Sequence, residues 1–161
     1  MEIISKDFCL TNLIEPYKEI YTIPFLTESF CESVINEAKQ IGFKKNTKET
    51  KAKQILECNF NSTKMPYAAF LLEDLVGKYM NNIFWELWRR NINSGQVQVA
   101  NYNPNKLTKG SWHHDHSADI TMVVPLNTGE YDGGGTEFWK KGLVKPLSLI
   151  HISEPTRRVR I

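Results

Sequence analysis

The chain has 161 residues, 41% of them hydrophobic and 24% charged, an ordinary balance for one globular domain with a buried core. Its formal charge of +2 is too small to recruit nucleic acid, and no apolar run approaches the roughly 20 residues that span a bilayer. The start, Met1-Glu2-Ile3-Ile4-Ser5-Lys6-Asp7, lacks a signal-peptide pattern, and Cys9, Cys31 and Cys58 form no CxxC pair, so a cytoplasmic setting without disulfides or structural zinc is expected.

Residues 17–25 are rich in β-branched and aromatic types and predict a strand. A helix follows, with Ser29 and Glu32 as a capping box, Phe30, Val34, Ile35, Ala38 and Ile41 at helical spacing, and Gly42 as its stop. The polar, Lys- and Thr-rich residues 43–54 predict an exposed loop. Pro66 opens a longer helix to about Arg90, whose broad stripe (Phe70, Leu71, Val76, Tyr79, Met80, Ile83, Phe84, Leu87, Trp88) is suited to lie on a sheet as core. After Asn91 the pattern changes to short strands and turns: a strand over 96–102, turns at Asn103-Pro104-Asn105 and Lys109-Gly110, and strands beginning at Trp112, over 120–126 and over 136–139. Residues 127–135 between the last two predict a turn. Helices first and closely spaced strands afterwards predict an α+β fold, a β-sandwich or jelly roll with the N-terminal helices packed on the sheet.

The last residues read differently. Leu147-Ser148-Leu149-Ile150-His151-Ile152-Ser153-Glu154-Pro155-Thr156-Arg157 resembles the in-frame translation of a library-preparation adapter, a transposase end followed by a read adapter. The expectation is therefore a domain over 1–146, lacking its closing C-terminal strands, and a non-native tail over 147–161. Without that tail the chain keeps 17 basic and 17 acidic residues, so its basicity belongs to the tail, and His151 is not expected to be an evolved ligand.

Three of the four histidines sit within Ser111-Trp112-His113-His114-Asp115-His116. In an extended strand His113 and Asp115, two apart, point to the same side and can grip one divalent ion, iron(II), manganese or zinc. A two-histidine, one-carboxylate set is the pattern of non-haem iron(II) oxygenases. His114 and His116 fall on the opposite parity and are poorer ligands.

The surrounding order carries more: Val99-Ala100-Asn101-Tyr102-Asn103-Pro104, then His113-His114-Asp115, then Thr121 to Asn127, then Tyr131-Asp132-Gly133-Gly134-Gly135-Thr136-Glu137-Phe138. This resembles the iron(II)- and 2-oxoglutarate-dependent dioxygenases of the prolyl 4-hydroxylase superfamily, and most of all their lysyl hydroxylase (procollagen-lysine dioxygenase) branch. Ile23-Pro24-Phe25-Leu26-Thr27-Glu28-Ser29-Phe30-Cys31 is similar to the strand-to-helix start of such domains, so the likeness runs from about residue 18 to Phe138.

The resemblance implies a double-stranded β-helix with His113 and Asp115 as the first two iron ligands and Tyr102 as a 2-oxoglutarate contact, an ordinary buried strand tyrosine being the alternative. It implies Fe(II) and 2-oxoglutarate, with L-ascorbate as a further requirement. The activity would be hydroxylation of a carbon on a peptidyl lysine or proline, or on a small molecule, with decarboxylation of 2-oxoglutarate to succinate. Gly133, Gly134 and Gly135 are expected to be structural, with positive φ in a tight turn, and Asn127 to be a turn residue. At Val123 the branch tends to carry a polar cofactor-contacting residue, and this chain departs from it.

The family's distal histidine, with a basic residue ten beyond it, has no match here. His151 follows Asp115 too soon, position 161 is Ile, and Arg157, Arg158 and Arg160 have the wrong spacing. With two ligands in place of three, this polypeptide is expected to bind iron weakly and to turn over little. Two other classes stay open: a non-catalytic metal-binding interaction module, and a zinc hydrolase, for which no general base stands out.

Overall fold

A computed structural model describes residues 10–24, 26–45, 55–59, 64–70, 80–93, 95–103, 109–116, 118–145, 149–153 and 159–160, the last two segments as backbone. The chain divides into two compact units, Met1–Cys31 with Leu107–Ile161, and Glu32–Lys106. Helices and small antiparallel sheets are mixed, and the sheets among the described residues do not close into a barrel.

In the first unit the single strand expected over 17–25 is a hairpin, β1 (Ile14–Tyr17) and β2 (Ile20–Pro24), with Phe25 outside the described residues. Tyr17 pairs with Ile20 across Lys18 and Glu19. Glu19 takes a left-handed φ of 64° without being Gly or Asn, so the turn carries no sequence signal. Its N–H donates to Glu15 Oε1 at 2.6 Å, which offsets part of that cost. Ile20 and Ile23 of β2 are fully buried.

Later in the chain come β6 (Thr121–Val123), β7 (Thr136–Phe138), β8 (Gly142–Val144), β9 (Leu149–Ser153) and β10 (Val159–Arg160). They complete a sheet of order β1-β2-β9-β6 and a second of order β10-β7-β8. Ile20, Phe138 and Val144 form the buried cluster between them, with Tyr17 packed against it. The strand expected over 120–126 is thus only three residues of β6, and these are half-buried.

The expectation of a tail outside the domain, with the closing strands missing, meets a paired backbone. Residues 149–153 lie between β2 and β6, with Thr22 and Val123 both opposite His151, and β10 pairs with β7. The physical reason is general. Two strand edges with open N–H and C=O groups accept any extended run of β-forming residues, and Leu149, Ile150 and Ile152 are such a run, whatever its origin.

The second unit begins within helix α1 (Glu28–Ile41) and continues through β3 (Lys44–Lys45), β4 (Leu56–Asn59), α2 (Pro66–Phe70), α3 (Asn81–Trp88) and β5 (Gln98–Asn101). Helix α1 starts one residue before Ser29, so the capping position falls on Thr27 and not on the expected Ser29. The N–H groups of Phe30 and Cys31 donate to Thr27 O. Gly42, with φ 87° and its N–H on Ala38 O, stops the helix as expected. Residues 44–45, read as loop, form the edge of a sheet of order β3-β4-β5, and the remaining loop residues 46–54 lie outside the described ones. Of the helix expected from Pro66 to about Arg90, the described residues show α2 over 66–70 and α3 over 81–88, while Leu71, Val76 and Tyr79 lie outside them. Helix α3 ends at Trp88, where Arg89 turns left-handed with φ 54°.

Met80, Ile83 and Phe84 are fully buried, as the stripe requires, each such side chain contributing about 1.5–3 kcal/mol. The start of α2 is held by a carboxylate from α1: Glu37, itself buried, accepts from the N–H of Tyr67 at 2.7 Å and of Ala68 at 3.2 Å. These are two of the donors a helix start leaves open, and Pro66 removes a third.

Two sets of substitutions test these features in thermal or denaturant unfolding. Glu37→Ala is expected to cost about 1–3 kcal/mol, because it leaves buried donors without an acceptor. Gly133→Ala, where a Cβ meets open space at φ 82°, is expected to cost about 1–2 kcal/mol from conformation alone. Gly135→Ala is expected to cost clearly more, since at φ 109° its Cβ would stand 2.5 Å from Val144 O. Equal costs for the two glycines would show that the close approach of β8 is not tight.

Candidate metal centre

His113 is an isolated bridge residue in an otherwise irregular stretch, not part of the strand expected from Trp112 onward. The stretch ends in a turn, closed by the Ala118 N–H on Asp115 O at 3.1 Å. Same-side placement of His113 and Asp115 therefore does not come from strand alternation. It is made by specific anchors.

Trp112 meets Trp139, one residue past β7, edge-to-face with ring centroids 5.5 Å apart. The ring of His113 is fixed by Nδ1, 2.7 Å from Ser111 O. A carbonyl oxygen only accepts, so Nδ1 carries the proton and Nε2 of the neutral ring keeps its lone pair. The turn brings Thr121, first residue of β6, back to Asp115, and the Thr121 hydroxyl donates to Asp115 Oδ2 at 2.8 Å. The remaining carboxylate oxygen, Oδ1, stands 3.4 Å from His113 Nε2.

Two lone-pair-bearing atoms facing each other at that distance can share a cation, a proton or a metal ion. With metal–ligand bonds of about 2.0–2.2 Å, ligand atoms at 90° lie about 3.0 Å apart and at a tetrahedral angle about 3.4 Å apart. The pair is therefore at chelating distance. Each member also has its outer atom hydrogen-bonded, as metal-binding imidazoles and carboxylates generally do. The side chains are 42% and 29% exposed, so an ion can reach them from solvent.

His114 and His116 form a separate ring pair with centroids 5.3 Å apart. Among the described residues no third His, Cys, Asp or Glu joins a metal-binding group. Tyr102 lies in the second unit, just past β5, and at 37% exposure it is not the buried strand tyrosine that was the alternative. Asn127 is a turn residue as expected, its Nδ2 donating to Glu130 Oε2 at 3.0 Å while Glu130 N–H donates to Asn127 O. Gly133, Gly134 and Gly135 all take positive φ, also as expected. What sequence reading missed is the outer layer, Ser111 and Thr121. Thr121 is six positions from Asp115 and no periodicity links them; only the turn does.

Burial pushes the Cys31 thiol up, with the nearby Glu28 charge adding to it, and burial alone raises Cys58. Both thiols are therefore held in the protonated form at neutral pH. Comparison with protein-family models and with curated proteins finds no match to the chain.

Thiol reactivity checks the burial. In the native protein at pH 8, Cys31 and Cys58 are expected to react slowly with a disulfide reagent, and at once in denaturant. Because the folded thiols titrate above the ordinary 9.0, the unfolded chain loses those protons first, and stability falls as pH rises past that value. Fast native labelling of both would show that they are not enclosed.

Proposed function

We propose that this chain carries the iron(II) site of a 2-oxoglutarate-dependent dioxygenase of the prolyl 4-hydroxylase superfamily, nearest to the lysyl hydroxylase branch and built on a jelly roll. The observation that supports it most is the His113 Nε2–Asp115 Oδ1 pair at chelating distance with both outer atoms hydrogen-bonded. Its donor set, one imidazole nitrogen and one carboxylate oxygen, fits two of the three positions of the iron(II) facial pattern. The order of motifs from Tyr102 to Phe138 supports the family, and Tyr102 as the cosubstrate contact is carried by resemblance alone.

His113 and Asp115 would hold the ion, the first as a neutral donor in a fixed tautomer, the second as its charge-neutralising anion. Iron(II) with 2-oxoglutarate, when bound there, would supply the oxidation, placing one oxygen atom of O₂ in the substrate C–H bond and the other in succinate, with release of carbon dioxide. The protein contributes ligand placement and a site open to solute. The substrate is proposed as a peptidyl lysine or proline, or a small molecule, in the cytoplasm. The near-neutral charge argues against nucleic acid. Among the described residues no helix is long and apolar enough to cross a membrane.

Anaerobic titration with iron(II) and 2-oxoglutarate tests the reading. A visible metal-to-ligand charge-transfer band is expected, saturating weakly because two side chains hold the ion, and absent in His113→Ala and Asp115→Ala. No band in the parent chain at any iron concentration would overturn the dioxygenase reading, and metal uptake without the band would favour the interaction module. Decarboxylation of 2-oxoglutarate is expected to be slight. Fast turnover abolished by His113→Ala would mean that a further group completes the site.

A further inference from the structure

Asp115 could meet an ion through one oxygen or through both, and the choice sets how many positions remain for other ligands. Its two oxygens are not equivalent. Oδ2 is engaged by the Thr121 hydroxyl at 2.8 Å, and Oδ1 alone faces His113 Nε2 at 3.4 Å. Thr121 opens β6, so the hydroxyl is carried by a strand and not by the turn it reaches across. A donor mounted on a sheet is a fixed reference for the carboxylate plane, whereas Asp115 itself sits in irregular backbone that could rotate.

We infer that Thr121 is a positioning residue that makes Asp115 a one-oxygen ligand, turning Oδ1 toward the ion and keeping Oδ2 off it. One-oxygen ligation leaves one more coordination position open than two-oxygen ligation does. The inference rests on the metal-binding half of the reading above and is independent of the dioxygenase chemistry.

The Thr121→Val variant keeps shape and strand preference and removes only the donor, while Thr121→Ser keeps the donor. Cobalt(II) titration of the full chain, followed by its visible ligand-field spectrum, reads both affinity and coordination number. Loss of an outer-layer partner typically weakens metal binding about 10-fold to 100-fold. Thr121→Val is expected to show a loss of that order with a spectrum shifted toward higher coordination, and Thr121→Ser to restore both.

Difference infrared spectroscopy on the parent chain labelled with ¹³C-aspartate gives a second readout that needs no variant. One-oxygen ligation widens the splitting of the carboxylate stretches on cobalt(II) addition, and two-oxygen ligation narrows it. Unchanged affinity and spectrum in Thr121→Val, or a narrowed splitting in the parent, would overturn the role of Thr121 while leaving the metal site standing. No cobalt(II) binding above that of His113→Ala would overturn the site and this inference together.

Discussion

Strand β2 is the element on which the first unit depends. It is hydrogen-bonded along both edges, to β1 on one side and to β9 on the other, and it buries Ile20 and Ile23 completely. A strand paired on both sides has its N–H and C=O groups satisfied, so its apolar side chains can be enclosed without a desolvation cost from the backbone. Ile20 then meets Phe138 and Val144 from the second sheet, and that contact ties β7 and β8 to the hairpin. β9 carries the pairing onward to β6, and β6 carries Thr121. The Asp115 carboxylate, held by the Thr121 hydroxyl, is thus referenced through backbone pairing to a strand whose Ile20 and Ile23 are fully buried.

This arrangement separates rigidity from access. His113 and Asp115 stand on irregular backbone and remain partly exposed, while their orientation is set by hydrogen bonds to neighbouring groups. Ser111 sets the imidazole, Thr121 sets the carboxylate, and the Trp112–Trp139 contact fastens the segment to the end of β7. A two-residue motif can keep useful geometry only with such support, because a side chain free to sample several rotamers loses affinity to entropy. The turn after Asp115 serves the same end by returning the chain to β6 within six residues.

Much of the framework was legible in the residues. The helical spacing of Val34 and Ala38, the stop at Gly42, the start at Pro66, and the burial of Met80, Ile83 and Phe84 all followed from periodicity and from the limited conformations of glycine and proline. The positive φ of Gly133 to Gly135 was legible for the same reason. The hairpin at Lys18-Glu19 was not, since its left-handed residue is a glutamate. The edge strand at Lys44–Lys45 was not either, because two lysines have no strand signature and pair only where β4 offers an edge. The seating of residues 149–153 also escaped composition, as an unfilled slot exists only once β2 and β6 are in place.

By itself the sequence determined which residue types could do chemistry and in what order they occur: His113 beside Asp115, a tyrosine before them, a glycine turn after them. These are properties of side-chain identity and short-range spacing, and they need no fold to be read. The tertiary structure decided that His113 and Asp115 converge through a turn and two outer hydrogen bonds instead of through strand alternation, and that one carboxylate oxygen is engaged by Thr121 while the other faces the imidazole. Those outcomes depend on contacts between residues that local periodicity does not relate, made only when a chain folds back on itself.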